Sequence, residues 1–232
     1  MFTIFYMKMM NKKEPHIYLF RHGQTTFNRD GKFTGWLDPK LTPKGKKDAI
    51  EVARFLKNKR FKVAFQTSLI RSQETLKEVL KFHPECKTIK TDDKMIERNY
   101  GLLNGMSHEE FIKKIGKKLY KLEVEGDAIT DLSKKSRKKV EKFLGEEEYE
   151  LIHRGYDTRP PKGESFADVE KRVSSFIRSL KEFMKKEKTN VAISAHGNSI
   201  RLFRKIWENK TKEQAIKWVI PYDKVFTYKV KI

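Results

Sequence analysis

The chain has 232 residues, enough for one large domain with a substantial buried core. Its 52 lysines and arginines exceed its 31 aspartates and glutamates, and the resulting formal charge of +21 favours anionic partners such as nucleic acid, anionic membrane surfaces or phosphorylated metabolites. Lysine outnumbers arginine about threefold, which is more typical of solvated helix faces than of a phosphate-reading surface. The single Cys86 excludes a disulfide framework and a cysteine-based zinc site.

The sequence lacks the features of a membrane or exported protein. No segment approaches the roughly 20 apolar residues needed to span a bilayer. The apolar run at residues 1–10 is interrupted by Lys8 and lacks a small-residue cleavage site. Because a lone cysteine also fits a reducing compartment, we expect a cytoplasmic protein with no membrane partner.

Strand and helix patterns alternate in the first half of the chain. The apolar run at residues 16–20 predicts a buried strand, a helix is expected over about 44–58, and residues 62–66 predict the next strand. Thr67 or Ser68 is expected to cap the helix that follows. This alternation is typical of an α/β layered sheet.

The second half contains a change of composition. The region of about 107–150 is helical, rich in Lys and Glu and poor in apolar residues, which predicts an inserted helical cap or lid. An amphipathic helix is expected over 166–187, a buried strand over 191–195 and an edge strand at 225–230. No internal repeat or long Pro/Gly/Ser-rich linker divides the chain, so a single domain over 1–232 is predicted.

Two histidines follow predicted strands, and each is succeeded by a glycine. Ligands of open α/β sheets gather at the carboxyl ends of strands, where helix N-termini favour anions. His22 and His196 are therefore predicted to face one anion pocket. An incidental role is the simpler interpretation, on sequence position alone, of His16, His83 and His108.

Other charged residues suggest phosphate chemistry. Arg71 lies one helical turn after Thr67, and its planar guanidinium can bind a phosphate through paired hydrogen bonds, although a surface role is the alternative. Glu97 lies beside cationic groups and is a candidate proton shuttle, with Arg98 and Tyr100 near it for a second anionic group. Arg154, Arg159 and Glu164 crowd a Pro- and Gly-rich loop, where Glu164 equally fits the start of the following helix.

Eight sequence features occur in a fixed order: FRHGQTTFN, FTGWLD, LTPKG, the spacing from Thr67 to Arg71, ERNYG, HRGYDTRPP, GES and SAHGNS. Together they resemble the histidine phosphatase superfamily and, within it, the 2,3-bisphosphoglycerate-dependent phosphoglycerate mutases. The resemblance extends from about His16 to Pro221, and FTGWLD followed by ERNYG favours the mutase branch. It implies a three-layer α/β sandwich with a mostly parallel central sheet and helices on both faces.

The resemblance also implies roles for individual residues. His22 is expected to be the nucleophile that forms a phosphohistidine, and Glu97 the general acid and base. The transferring phosphoryl group is expected to be surrounded by Arg21, Asn28, Arg71, His196 and Gly197. The rest of the substrate is expected to contact Thr34, Gly35, Arg98, Tyr100, Arg154 and Asn198.

The implied reaction interconverts 2-phosphoglycerate and 3-phosphoglycerate in glycolysis and gluconeogenesis. It uses 2,3-bisphosphoglycerate as the primer cofactor, requires no metal, and is compatible with a homo-oligomer. Two alternatives remain open: a phosphatase of the same fold that hydrolyses a phosphomonoester through His22, and a basic nucleic-acid-binding protein without catalysis. Because competent residues occupy the expected catalytic positions, no specific nucleic acid is expected as a partner.

The sequence departs from the mutase pattern at the distal end of the substrate. His108 stands where the family usually has a lysine, and His153 precedes Arg154 where it usually has paired arginines. Both histidines are expected to bind substrate, since an imidazole can still hydrogen-bond an anion. The sequence ends at Ile232, so a tail folded over the site is expected to be short or absent, which favours entry of water.

Overall fold

The central sheet has five strands in the order β3-β2-β4-β1-β5 within residues 14–231, the part of the chain that the computed structural model describes. The strands are β1 (His16–Arg21), β2 (Val63–Gln66), β3 (Thr88–Thr91), β4 (Val191–Ala195) and β5 (Val225–Lys229). The first four are parallel, and β5 pairs with β1 in the antiparallel direction at one edge. The prediction for residues 1–10 lies outside the described residues.

Helices cover both faces of this sheet, as predicted. They are α1 (Thr26–Arg29), α2 (Pro43–Leu56), α3 (Ile70–Leu80), α4 (His108–Glu125), α5 (Lys134–Arg154), α6 (Phe166–Glu187), α7 (Gly197–Trp207) and α8 (Lys212–Lys217). Ile17 and Leu19 of β1 pack with apolar residues of α6 and α7, whereas Tyr18 and Phe20 pack with α2 and α3. Because successive side chains of a strand point to opposite faces, the sheet lies between two helical layers. The predicted α/β sandwich is confirmed.

The register of β1 and β4 brings the two predicted histidines together. Arg21, the last residue of β1, lies opposite Ala195, the last residue of β4. The backbone N–H of His22 donates to the carbonyl of Ala195 at 3.0 Å. His22 and His196 therefore leave the same sheet edge side by side.

The predicted insertion is a pair of helices, α4 and α5. Where they contact, a Cβ on Gly116 would lie 1.8 Å from the carbonyl oxygen of Glu141, and a Cβ on Gly145 would lie 2.1 Å from that of Ile112. The backbones thus approach as closely as glycine permits. The predicted boundary at residue 150 is too early, because the α5 helix continues to Arg154 and carries two predicted site residues in its last turn.

Two local details differ from the sequence predictions. Strand β3 was not predicted, because its four residues are all exposed and carry no alternating apolar pattern. Neither Thr67 nor Ser68 caps α3, because Leu69 occupies the cap position and makes no side-chain cap hydrogen bond. No helix among the described residues is long and apolar enough to cross a membrane.

Candidate active site

A cavity of about 230 Å³ lies at the carboxyl ends of β1 and β4. Thirteen of the fifteen predicted site residues line it: Arg21, His22, Asn28, Thr34, Gly35, Arg71, Glu97, Tyr100, His108, His153, Arg154, Gly197 and Asn198. The two that do not are His196, whose ring centroid lies 5.0 Å from that of His22, and Arg98. The cavity thus joins residues that are far apart in the sequence, from Arg21 to Asn198.

His22 has the protonation state that a nucleophile needs. It is 2% exposed, and its Nδ1 lies 2.8 Å from the carbonyl oxygen of Gly23. Since a carbonyl can only accept, Nδ1 carries the proton and Nε2 keeps its lone pair. Burial, followed by the charges of Arg71 and Arg21, holds the pKa of His22 well below its ordinary value. The ring is therefore neutral at physiological pH.

His196 is fully buried, with its ring centroid 5.0 Å from that of His22. Its Nε2 lies 2.8 Å from Oγ1 of Thr67, while its Nδ1 has no hydrogen-bond partner among the described residues. Burial and the charge of Arg71 keep its pKa well below the ordinary value. Thr67, predicted as a helix cap, instead orients this second imidazole.

Two arginines place positive charge beside His22. Arg71 is fully buried, and it donates to the carbonyls of Leu37 at 2.7 Å and Gly35 at 2.8 Å. Arg21 stacks on the ring of Tyr222 at 4.0 Å. The Nε of each arginine is buried without a hydrogen-bond partner in the described structure. Burial lowers the pKa of Arg71 to about 10, which still leaves it protonated. The pair can therefore offset the charge of a phosphoryl group.

The segments that line the cavity beside these arginines contain two glycines and an asparagine. A Cβ on Gly23 would lie 2.0 Å from the carbonyl oxygen of Gly45, so the loop after β1 packs directly on α2. Gly35 has a φ of +48°, which a side chain would strain. Asn28 uses Oδ1 to accept from the backbone and hydroxyl of Thr25. Its amide nitrogen remains a donor for the cavity that Asn28 lines.

Glu97 is the acidic residue of the cavity lining, and it is 7% exposed. Its Oε1 accepts from the backbone N–H of Arg98 at 2.8 Å and from that of Asn198 at 3.1 Å. Asn198 also donates through its amide to the hydroxyl of Tyr100 at 3.3 Å. One carboxylate oxygen is thus fixed, which suits Glu97 for proton transfer through the other.

The remote end of the cavity is formed by the helical pair α4 and α5. The Tyr149 hydroxyl lies 3.2 Å from Nδ1 of His108, and the rings of Tyr149 and His153 stack at 5.0 Å. Burial and the charge of Arg154 lower the pKa of His153 to about 3, and burial also lowers that of His108. Both imidazoles are therefore neutral at physiological pH, so neither adds the positive charge that a lysine or an arginine would carry at these two positions.

Arg98, which was predicted to bind substrate, is not among the residues that line the cavity. Its guanidinium lies between the rings of Tyr100, at 5.0 Å, and Phe166, at 4.6 Å. It donates to the carbonyls of Glu164 at 2.6 Å and Thr158 at 3.1 Å. Arg98 therefore holds the loop before α6, while its Nη1 is buried without a hydrogen-bond partner among the described residues. Arg159 is exposed and pairs with Asp168 at 2.7 Å.

Sequence reasoning missed Arg201, which lines the cavity from α7 and is 7% exposed. It donates to Oδ1 of Asn198, and its Nε is buried without a partner among the described residues. Burial and the charge of Arg154 lower its pKa to about 10. Its position three residues after Asn198, on the same helix face, was the available signal. The other missed lining residues are Gly31, Lys32, Phe33, Val219, Ile220 and Tyr222.

Three of the arginines are held by one short backbone segment, residues 216–220, which we call the carbonyl segment. Arg154 donates to the carbonyl of Ile216 at 2.9 Å, Arg201 to that of Trp218 at 2.8 Å, and Arg21 to that of Ile220 at 2.8 Å. Backbone carbonyls orient a guanidinium without cancelling its formal charge. The cavity lining therefore contains five cationic side chains, Arg21, Lys32, Arg71, Arg154 and Arg201, of which Arg71 also lies 3.5 Å from the carboxylate of Asp38.

His22, Glu97 and His196 place one potential ligand atom each within 4.8 Å of one another, close enough to hold a metal ion. The flanking charges of Arg21 and Arg71 oppose a divalent cation there and favour an anion. The geometry is thus better matched to a phosphoryl group that His22 can attack.

Comparison with known proteins agrees with this geometry. The model of the histidine phosphatase superfamily (branch 1) matches residues 17–142 and 123–230. A 2,3-bisphosphoglycerate-dependent phosphoglycerate mutase of Pseudoalteromonas atlantica is 31% identical over 183 residues, covering 79% of each chain. The chain belongs to the histidine phosphatase superfamily and is an enzyme of that group.

Two solved structures share the fold at low identity. Bacillus stearothermophilus YhfR superposes with a TM-score of 0.71 at 20% identity, covering 94% of this chain and 92% of its own. A putative α-ribazole-5'-P phosphatase from Escherichia coli gives 0.62 at 21% identity, covering 87% and 83%. These similarities confirm the phosphoglycerate mutase-like architecture.

Proposed function

We propose that this enzyme is a 2,3-bisphosphoglycerate-dependent phosphoglycerate mutase. The supporting observation is that one cavity contains a neutral histidine, a fixed carboxylate and two groups of cations. Arg21 and Arg71 act on His22, while Arg154 and Arg201 act on His153 at the remote end. A small molecule with an anionic group at each end, such as a phosphoglycerate, matches that distribution.

The proposed chemistry proceeds through a phosphohistidine. Nε2 of His22 attacks phosphorus, the N–P bond forms and the P–O bond of the donor breaks. Glu97 gives a proton to the departing alcohol oxygen and later takes one from the hydroxyl that receives the phosphoryl group. Arg21, Arg71 and the amide of Asn28 stabilise the charge on the transferring oxygens. The bound 2,3-bisphosphoglycerate would supply the first phosphoryl group and also be the intermediate between the two isomers.

A phosphatase of the same fold is the second candidate. The observation that favours it is the neutrality of His108 and His153, which leaves less positive charge for a second phosphate than a lysine and an added arginine would. A substrate with one phosphate would then suffice, and water would accept the phosphoryl group from His22.

The deciding experiment follows both products from 3-phosphoglycerate in the presence of catalytic 2,3-bisphosphoglycerate. A mutase forms 2-phosphoglycerate much faster than inorganic phosphate. Release of phosphate without the isomer would overturn the proposal in favour of the phosphatase. His22→Ala should abolish turnover and phosphoenzyme formation, and near-normal activity of that variant would exclude His22 as the nucleophile.

A further inference from the structure

A single arginine outside the cavity holds the loop that carries Glu97. Arg172, on α6, donates through Nη1 to the carbonyls of Lys94 at 2.9 Å and Ile96 at 2.7 Å. It donates through Nη2 to the carbonyl of Glu97 at 3.0 Å. The first of these carbonyls belongs to a short 3₁₀ helix, Asp93–Met95, and the other two to the irregular backbone that follows it, where Arg172 satisfies them.

Glu164 completes the coordination of this guanidinium. Its carboxylate accepts from Nε of Arg172 at 3.0 Å and from Nη2 at 3.1 Å, a paired arrangement. All five N–H donors of Arg172 are therefore used. Glu164 also binds the next part of the loop through two hydrogen bonds to the backbone of Asn99. The N–H of Asn99 donates to Oε2 of Glu164 at 2.9 Å, and the carbonyl of Asn99 accepts from the backbone N–H of Glu164 at 2.8 Å.

This arrangement fixes Glu97 from its backbone side. The carbonyl of Glu97 accepts from Arg172 and from the indole of Trp36 at 2.8 Å, while its Oε1 accepts from the N–H of Asn198. The carboxylate reaches into the cavity with its backbone clamped. A displacement of about 1 Å at a reacting group can reduce a rate about 100-fold.

We infer that Arg172 and Glu164 are positioning residues for the acid and base Glu97. They do not touch the cavity. They act by holding the backbone of residues 94–99 in the position from which the Glu97 carboxylate reaches the alcohol oxygen of the substrate. The inference rests on the proposed roles of His22 and Glu97 and holds for a mutase and for a phosphatase alike.

The test compares two phosphoryl donors that differ in their need for an acid. Transfer from 2,3-bisphosphoglycerate to His22 expels an alcohol oxygen that needs a proton, whereas transfer from acetyl phosphate expels acetate, which needs none. The measured quantity is the rate of phosphoenzyme formation by rapid quench. In Arg172→Lys we expect a loss of about 10- to 100-fold with 2,3-bisphosphoglycerate. With acetyl phosphate we expect a loss under about 3-fold, since no proton is required.

Two further variants keep the result decisive. Glu164→Gln should shift the donor ratio in the same direction, and it decides the matter if an Arg172 variant does not fold by circular dichroism. Arg204→Met is the matched control, because the side chain of Arg204 is 17% exposed against 18% for Arg172 and also pairs with a glutamate. The donor ratio of that control should equal that of the parent.

Equal losses with both donors, or no loss in either variant, would overturn the inference. If the parent protein is phosphorylated by acetyl phosphate but not by 2,3-bisphosphoglycerate, the mutase proposal fails instead, and 3-phosphoglycerate replaces the alkyl donor in the comparison. If neither donor phosphorylates the parent, both the proposed function and this inference are refuted.

Discussion

Replacing Arg201 by methionine should separate stability from ligand binding. The low pKa of Arg201, about 10, corresponds to roughly 3 kcal/mol of cost for keeping the guanidinium charged in the fold. Its hydrogen bonds to Asn198 and Trp218 recover about 1.5 to 3 kcal/mol each. Because these contributions oppose one another, Arg201→Met should lower the free energy of unfolding by no more than about 3 kcal/mol, which is at most about 12 °C in melting temperature.

Binding should respond differently, because the loss of one charge-assisted contact of about 1.5 to 3 kcal/mol weakens an anionic ligand about 10- to 100-fold. Thermal unfolding with and without 3-phosphoglycerate measures both quantities on the same sample. Arg201→Lys, which keeps the charge but has fewer donors, is the control and should retain part of the ligand-induced shift. A large loss of stability with an unchanged ligand response would refute the reasoning.

Two other substitutions test buried features of the site. His153→Gln should flatten the acid side of the stability profile. Since the pKa of His153 is about 3, the unfolded parent chain gains a proton below about pH 6.5 that the folded parent does not. The free energy of unfolding of the parent therefore falls by up to about 1.4 kcal/mol per pH unit between these values, and the variant lacks this contribution. Urea unfolding at several pH values measures the slope, and an identical slope in the variant would contradict the assignment. Gly23→Ala should lower the free energy of unfolding by about 1 to 3 kcal/mol and remove most of the activity, because its Cβ would lie 2.0 Å from the carbonyl oxygen of Gly45. Gly126→Ala, remote from the cavity, is the control. Similar melting temperatures and rates for both variants would exclude this close packing.

The proximity of His22 and His196 was predictable because it follows from two local sequence patterns and from the geometry of a parallel sheet. Each histidine follows an apolar strand, and parallel strands end at a common edge. The buried sheet residues and the α6 helix were equally readable, since their apolar spacing matches the structure.

Other features depend on contacts between distant residues. Thr67 contacts His196, which is 129 positions away in the sequence. Its residue type and its place before a helix suggested only a cap. Arg98 is adjacent to Glu97 in the sequence, which suggested that it binds substrate. Its burial against Tyr100 and Phe166 is visible only in the structure. Arg201 was overlooked because its charge is unremarkable in a basic chain, although its helical spacing from Asn198 was visible.

The carbonyl segment has a consequence for how the cavity tolerates change. Its contacts with Arg154, Arg201 and Arg21 are made by backbone oxygens of residues 216, 218 and 220, so side-chain substitutions there leave the acceptors in place. Inserting or deleting one residue would instead displace the carbonyls relative to all three arginines together. The length of this stretch is therefore the constraint that keeps the three arginines in one arrangement, whereas its side chains are constrained separately by packing, as at Ile220, which is 2% exposed.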